Sequence, residues 1–151
     1  MGTITWLHLA DLHFRGAGQW DEDIVLQKLL ERVREQVTSA GLRPNFIVVS
    51  GDVAFSGGAE EYSLAGEFFD ELLEATRLQS KTDLLVVPGN HDVDCEAITP
   101  GTRAILSSLG NRQAVSAVLA TAEDRRLIFR KFHRYARFIT DYFGNQAAFG
   151  E

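Results

Sequence analysis

The chain has 151 residues, 45% of them hydrophobic, and a formal net charge of −6. That length suits about one domain with a buried core, and the acidic balance argues against a general nucleic-acid binder. A single cysteine, Cys95, excludes an internal disulfide and fits a reducing compartment.

The chain opens on an apolar run, Ile4 to Ala10, that reads as a strand and leads into Asp11-Leu12-His13. Ile4, Trp6, His8 and Ala10 share one side of it, and Thr5, Leu7 and Leu9 the other. A ligand role and a core role compete for His8. Its place beside Trp6 favours a hydrogen-bonded core histidine. Phe14 to Trp20 is a glycine-bearing loop, in which Arg15 either meets an anionic substrate or stays solvated. Asp21 is the expected cap of a helix running to about Ala40, and Asp21, Glu22 and Asp23 suit its positive end. Val25, Leu26, Leu29, Leu30, Val33 and Val37 form its apolar stripe. Gly41 and Pro44 close it.

A second strand, Phe46-Ile47-Val48-Val49, runs into Ser50-Gly51-Asp52. After a loop over Val53 to Gly58, a helix is expected from about Ala59 to Arg77. Leu64, Ala65, Phe68, Phe69, Leu72 and Leu73 give it a wide apolar face. The third strand, Leu84-Leu85-Val86-Val87, reads as buried on both faces. Pro88 and Gly89 stop it, and Asn90, His91 and Asp92 follow at once. Alternation of strand and helix predicts an α/β fold, with parallel strands joined by right-handed crossover helices. Such sheets carry their chemistry at the C-terminal strand ends.

Beyond Asp94 the pattern turns helical. Thr99-Pro100-Gly101 is a breaker, short helices are expected over 102–109 and 113–120, and a long one from about Glu123 to Phe143. Its stripe is Ile128, Phe132, Tyr135, Ile139 and Tyr142. Arg126, Arg130, Arg134 and Arg137 make a row that reads as a solvated or covered face rather than a phosphate-binding one. His133 beside it is assigned surface or packing duty. Charge is uneven: residues 1–100 hold 7 Lys+Arg and 17 Asp+Glu, a net of −10, while residues 101–151 hold 8 and 4, a net of +4. A cation bound among the acidic residues would relieve repulsion there. Cys95, though near His91, is expected to be a small buried or half-buried residue rather than a ligand. No signal peptide, myristoylation motif or membrane span is visible, so a cytoplasmic location is expected.

Three strands thus end in side chains able to hold a metal: Asp11 and His13, then Asp52, then Asn90 and His91. Oxygen and imidazole donors together suit Mn, Fe or Zn better than Ca or Mg. Any one cluster occurs by chance, but the three in order, each after an apolar strand pattern, are hard to assign to accident.

The set Asp11-x-His13, Gly51-Asp52 and Gly89-Asn90-His91-Asp92 resembles the calcineurin-like metallophosphoesterase family. The likeness covers residues 3 to about 94. The run Ser50 to Tyr62, with Phe55-Ser56-Gly57-Gly58 and Glu60-Glu61-Tyr62, is similar to large multidomain bacterial members. The resemblance implies the N-terminal half of a metallophosphoesterase β-sandwich flanked by helices over residues 1–98. Residues 99–151 would be a helical insertion or cap. It also implies metal-dependent phosphoester hydrolysis: Asp11 and His13 on a first cation, Asp52 bridging two, and Asn90 on the second, with Mn²⁺ as the leading metal. Two cations about 3.5–4 Å apart clamp a phosphate and bring bound water toward a hydroxide at about neutral pH. His91 would stabilise charge or protonate the leaving oxygen. Asp92 would orient a neighbouring group or form a turn. A phosphodiesterase acting on nucleotides or nucleic acid, including a nuclease, leads this reading. A phosphomonoesterase or a non-catalytic module are the alternatives. The family's further ligands, a lone His and a Gly-His-x-His, have no match here. This chain is therefore read as the N-terminal part of a longer protein with further C-terminal domains, weakly metal-binding and prone to self-association on its own.

Overall fold

The computed structural model describes residues 2–16 and 23–144. Three strands, β1 (Trp6–Leu9), β2 (Phe46–Ser50) and β3 (Leu84–Val87), form one parallel sheet in the order β1-β2-β3. Trp6 pairs with Phe46 and Leu9 with Val49; Ile47 pairs with Leu84 and Ser50 with Val87. α1 (Ile24–Ser39) joins the first two strands and α2 (Ala59–Thr76) the next two. The α/β class with parallel strands and crossover helices is as expected. β1 is shorter than expected, because Ile4, Thr5 and Ala10 fall outside the paired stretch.

The core lies on one face of the sheet. Leu9, Ile47, Val49 and Leu84 point into it against Leu26, Leu30, Val33 and Val37 of α1 and Ala65, Phe68, Phe69, Leu72 and Leu73 of α2. Its aromatic part stacks tightly, with the Tyr62 and Phe138 rings 5.2 Å apart and nearly parallel. Nothing among the described residues covers the other face. Ile4 (67% exposed), Trp6, Leu85 and Val87 lie on it, so β3 is buried on one face only, not on both. His8 shares that open side. It is exposed, with Nε2 2.6 Å from Ser50 Oγ, and is not a core residue. The alternation of the strands predicts which residues share a side. It does not say whether a second layer is present to cover that side.

Helix boundaries differ in instructive ways. Asp23 caps α1, its Oδ1 accepting from Val25 and Leu26 N–H; the expected cap, Asp21, lies outside the described residues. Val25 is exposed rather than in the stripe. Thr99 caps α3 (Pro100–Ser108), with Pro100 at its first position, so the breaker opens a helix where a proline lacking N–H costs nothing. α4 (Arg112–Ala120) follows. The expected long helix is two, α5 (Ala122–Phe129) and α6 (His133–Phe143), parted by a 3₁₀ turn at Arg130–Phe132. There the Lys131 carbonyl accepts from Asp94 N–H at 2.8 Å. A tertiary bond thus takes the acceptor that helix continuation would use. The arginine row is broken with it: Arg126, Arg130 and Arg137 stay exposed, while Arg134 turns to Asp94, Nε to Oδ2 3.2 Å. His133 lies 3.6 Å from the same carboxylate, in keeping with a packing role. α6 packs on α2, and Tyr135 donates to the Val86 carbonyl at 2.9 Å.

Candidate metal centre

Past the strand ends the backbone stays zipped. Asp11 N–H donates to Gly51 O, His13 N–H to Asp52 O at 2.9 Å, Phe14 N–H to Val53 O, and Phe55 N–H back to Phe14 O. This irregular ladder holds the first two loops side by side. Three of its members, Asp11 (φ 56°), His13 (φ 50°) and Asp52 (φ 51°), sit in left-handed backbone. That region costs an L-residue about 1–2 kcal/mol, with aspartate among the more tolerant types. Such outliers persist where surrounding bonds over-determine them, and they gather at functional sites.

The strained turns aim side chains at one place. His13 Nε2 lies 4.0 Å from Asp11 Oδ1 and 4.0 Å from Asp52 Oδ2. Ligand atoms of His13, Asp52 and His91 all fall within 4.8 Å of one another. The His13 and His91 rings meet edge to face, 4.7 Å between centres. Asp52 is buried, and its Oδ1 accepts from His91 N–H at 2.9 Å. The third loop reaches it because Gly89 has no side chain: a Cβ there would lie 2.1 Å from Asp52 Oδ1.

His91 Nδ1 lies 2.8 Å from the Phe55 carbonyl. A carbonyl only accepts, so Nδ1 carries the proton and Nε2 is the nitrogen free for chemistry. Asp92 is 1% exposed. Its carboxylate accepts from Gly89 N–H (2.8 Å), Ala54 N–H (2.9 Å), Val53 N–H (3.2 Å) and Tyr62 O–H (3.2 Å). It therefore closes its own turn and clamps the second loop to the third. Burial, then the Asp92 charge and hydrogen bond, push the Tyr62 phenol far above the ordinary tyrosine range, so it stays a donor.

Asn90, the residue before His91, is exposed, and its amide has no hydrogen-bond partner among the described residues. Arg15 lies over the Phe55 ring, guanidinium carbon 3.9 Å from its centre. Cys95 is exposed rather than buried or half-buried, and stands apart from the cluster. His8 and His133 are likewise not part of it. Sequence reasoning missed the contact made by Gly89 and the Phe55 carbonyl. It also missed the two phenol and carboxylate anchors, Tyr62 and Glu61. Of these only Glu61 carries a local signal, as the acid at the third position of α2.

A divalent cation fits this donor set. Two carboxylates flank His13 Nε2 at equal distance, and a second imidazole completes the convergence. Imidazole with carboxylate is a donor mixture suited to first-row transition metals.

Residues 4–146 match the family model described as calcineurin-like phosphoesterase. The chain is 38% identical over 92 residues to a cAMP/cGMP dual specificity phosphodiesterase of Mycobacterium tuberculosis (strain CDC 1551 / Oshkosh), covering 57% of this chain and 26% of that protein. It is 33% identical over 95 residues to the glycerophosphodiester phosphodiesterase GpdQ of Enterobacter lignolyticus (strain SCF1), covering 56% and 28%. The chain thus spans about a quarter of the length of these curated relatives.

Proposed function

The chain belongs to the calcineurin-like phosphoesterase family, and from that footing we propose that it is the ligand-bearing part of a metal-dependent hydrolase of phosphodiesters. The observation that carries this reading is the convergence of His13, Asp52 and His91 within 4.8 Å, with Asp11 4.0 Å from His13. The two relatives, both phosphodiesterases by name, favour diesters over monoesters.

In this reading Asp11, His13, Asp52 and Asn90 would hold the cations, with Asp52 shared between two. Mn²⁺ is the leading candidate, with Fe or Zn as alternatives. Bound cations supply neutralisation of phosphoester charge and a lowered pKa for water. The remaining work falls to the protein. The loops hold the phosphoester so that the bond to the leaving oxygen breaks opposite the bond that forms to water. His91, with Nδ1–H committed to the Phe55 carbonyl, would give the leaving oxygen a proton from Nε2 of the doubly protonated ring and be left as the neutral ring with its proton on Nδ1. Asp92 fixes the spacing of the loops. Nucleotides and nucleic acid are the proposed substrates, and a cytoplasmic location is proposed with them. No helix among the described residues is long and apolar enough to cross a membrane.

In this reading residues 1–98 carry the ligands and the chain beyond them is a helical insertion or cap, of which α3 to α6 are described and α6 packs back on α2. The open apolar face with Ile4, Trp6, Leu85 and Val87 supports a further layer from additional domains of the protein, or self-association of this piece. The deciding experiment is hydrolysis of bis(p-nitrophenyl) phosphate by the full-length protein with Mn²⁺. Turnover lost in Asp52→Ala is expected. Background rates in the wild type would favour the non-catalytic module, and faster monoester turnover would favour a phosphomonoesterase.

A further inference from the structure

The run Phe55 to Tyr62 forms no part of the ligand set, yet it contains a buried carboxylate. Glu61 is 6% exposed. Its Oε2 accepts from Ser56 N–H and Gly58 N–H, both at 2.9 Å, and its Oε1 accepts from Ser56 O–H at 2.8 Å. The bond to Gly58 is the ordinary bond of a helix-capping box. The two bonds to Ser56 are not needed to cap α2. They fix the loop before it.

The bond to Ser56 N–H has a particular consequence. That N–H and the Phe55 carbonyl belong to one planar peptide unit. The carbonyl of the same unit takes the Nδ1 proton of His91 at 2.8 Å. Glu61, the Phe55–Ser56 peptide and His91 therefore form one line of hydrogen bonds, with a carboxylate at one end and the imidazole at the other. A negative charge on the N–H side makes the carbonyl a better acceptor, as in any polarised chain of hydrogen bonds. The unit is also pinned by its neighbours. Phe55 N–H donates to Phe14 O. Gly57 (φ +69°) lies so close to the third loop that a Cβ would come 2.9 Å from the Val93 carbonyl carbon.

We propose that Glu61 is a positioning residue for His91, acting through the Phe55–Ser56 peptide to hold the ring with its proton on Nδ1 and Nε2 facing the site. This deepens the phosphodiesterase reading and rests on it for its effect on rate. Carboxylates that orient an active imidazole directly are a common device; here a peptide stands between the two groups.

The test uses the full-length protein and three variants: Glu61→Ala, Glu61→Gln and Ser56→Ala. Histidine-selective ¹⁵N labelling reads the His91 tautomer in the neutral ring without metal or substrate. The wild type and Ser56→Ala are expected to show the proton on Nδ1, and Glu61→Ala a mixture. In Mn²⁺-loaded enzyme, Glu61→Ala should lower kcat by about 10- to 100-fold, a range typical of lost orienting groups, with little change in KM. The loss should be larger for an alkyl leaving group, which needs a proton, than for p-nitrophenolate, which does not. It should vanish in a His91→Ala background. Glu61→Gln keeps an oxygen for the Ser56 and Gly58 N–H groups and removes the charge; it should fold and show a smaller loss of the same kind. An unchanged tautomer in both Glu61 variants, equal losses for both leaving groups, or a full additional loss on top of His91→Ala would reduce Glu61 to a helix cap and overturn the proposal. A wild type inactive on every ester would defeat the functional reading alone, since the tautomer still decides what Glu61 does to His91.

Discussion

Gly89→Ala is the sharpest perturbation of the centre. The added methyl would lie 2.1 Å from Asp52 Oδ1, 2.5 Å from Asp52 N and 2.8 Å from Asp52 Cγ. Carbon and oxygen want more than 3 Å of separation, so the carboxylate or the third loop must move by about 1 Å, and misplacement on that scale costs roughly 10²-fold in rate. Rotating the carboxylate alone is not enough, because the Asp52 backbone is also in the way. That backbone is held by His13 N–H on its carbonyl and by Asp92 on the following N–H. Forced overpacking of this kind costs about 1–3 kcal/mol of stability. The expected result is a protein that still folds, with a melting point several degrees lower, Mn²⁺ affinity reduced at least tenfold, and diester turnover reduced about 100-fold, or roughly 2.7 kcal/mol of barrier. Calorimetry with Mn²⁺, thermal unfolding and bis(p-nitrophenyl) phosphate hydrolysis measure the three effects. Gly110→Ala is the control, since a Cβ there meets nothing within 4 Å. If Gly89→Ala bound Mn²⁺ and turned over like the wild type, the close approach of the two loops would not be what sets the site.

Asp92→Ala removes the acceptor of three backbone N–H groups and leaves the buried Tyr62 phenol only the backbone carbonyl at that position, 3.3 Å away. Unsatisfied buried donors cost about 1–3 kcal/mol each without adding fully, so a loss of at least ~3 kcal/mol in urea unfolding is expected, and one below ~1 kcal/mol would contradict the clamp. Asp11→Gly should separate stability from function. Relief of left-handed strain of about 1–2 kcal/mol is offset by the extra chain entropy of glycine, so unfolding should stay within ~1 kcal/mol while Mn²⁺ binding weakens at least tenfold. Burial, with the Asp92 charge, raises the phenols of both Tyr62 and Tyr135 far above the usual tyrosine range. Above about pH 10 the unfolded chain then releases protons that the folded protein keeps, so stability falls as pH rises, by up to about 1.4 kcal/mol per pH unit for each phenol. Urea unfolding of Tyr62→Phe between about pH 9 and 11.5 should show a shallower slope than the wild type, and equal slopes would refute the assignment.

Periodicity and punctuation in the chain were enough to place much of this architecture. The runs at Phe46–Ser50 and Leu84–Val87 pair as strands, the stripes on 24–39 and 59–76 face one core, and alternation of strand and helix makes the sheet parallel. The order of strand ends also nominated Asp11, His13, Asp52 and His91, which come together in space. These are local regularities, carried by the alternation of residues and by the side chains placed directly after each apolar run. Other features had no local signature. His8 sits on an alternation that allows burial, yet it is exposed, because burial needs a second layer that a pattern cannot supply; Val25, in the first turn of α1, is exposed as well. The helix expected to run through Arg130–Phe132 breaks because Asp94, far earlier in the chain, takes a carbonyl there. Gly89 reads as a strand stop until Asp52 is seen against it, and the Phe55 carbonyl reads as nothing until His91 donates to it. Sequence decides what each segment can present. Only the packing of loops distant in the chain decides which hydrogen-bond partners and steric limits each one meets.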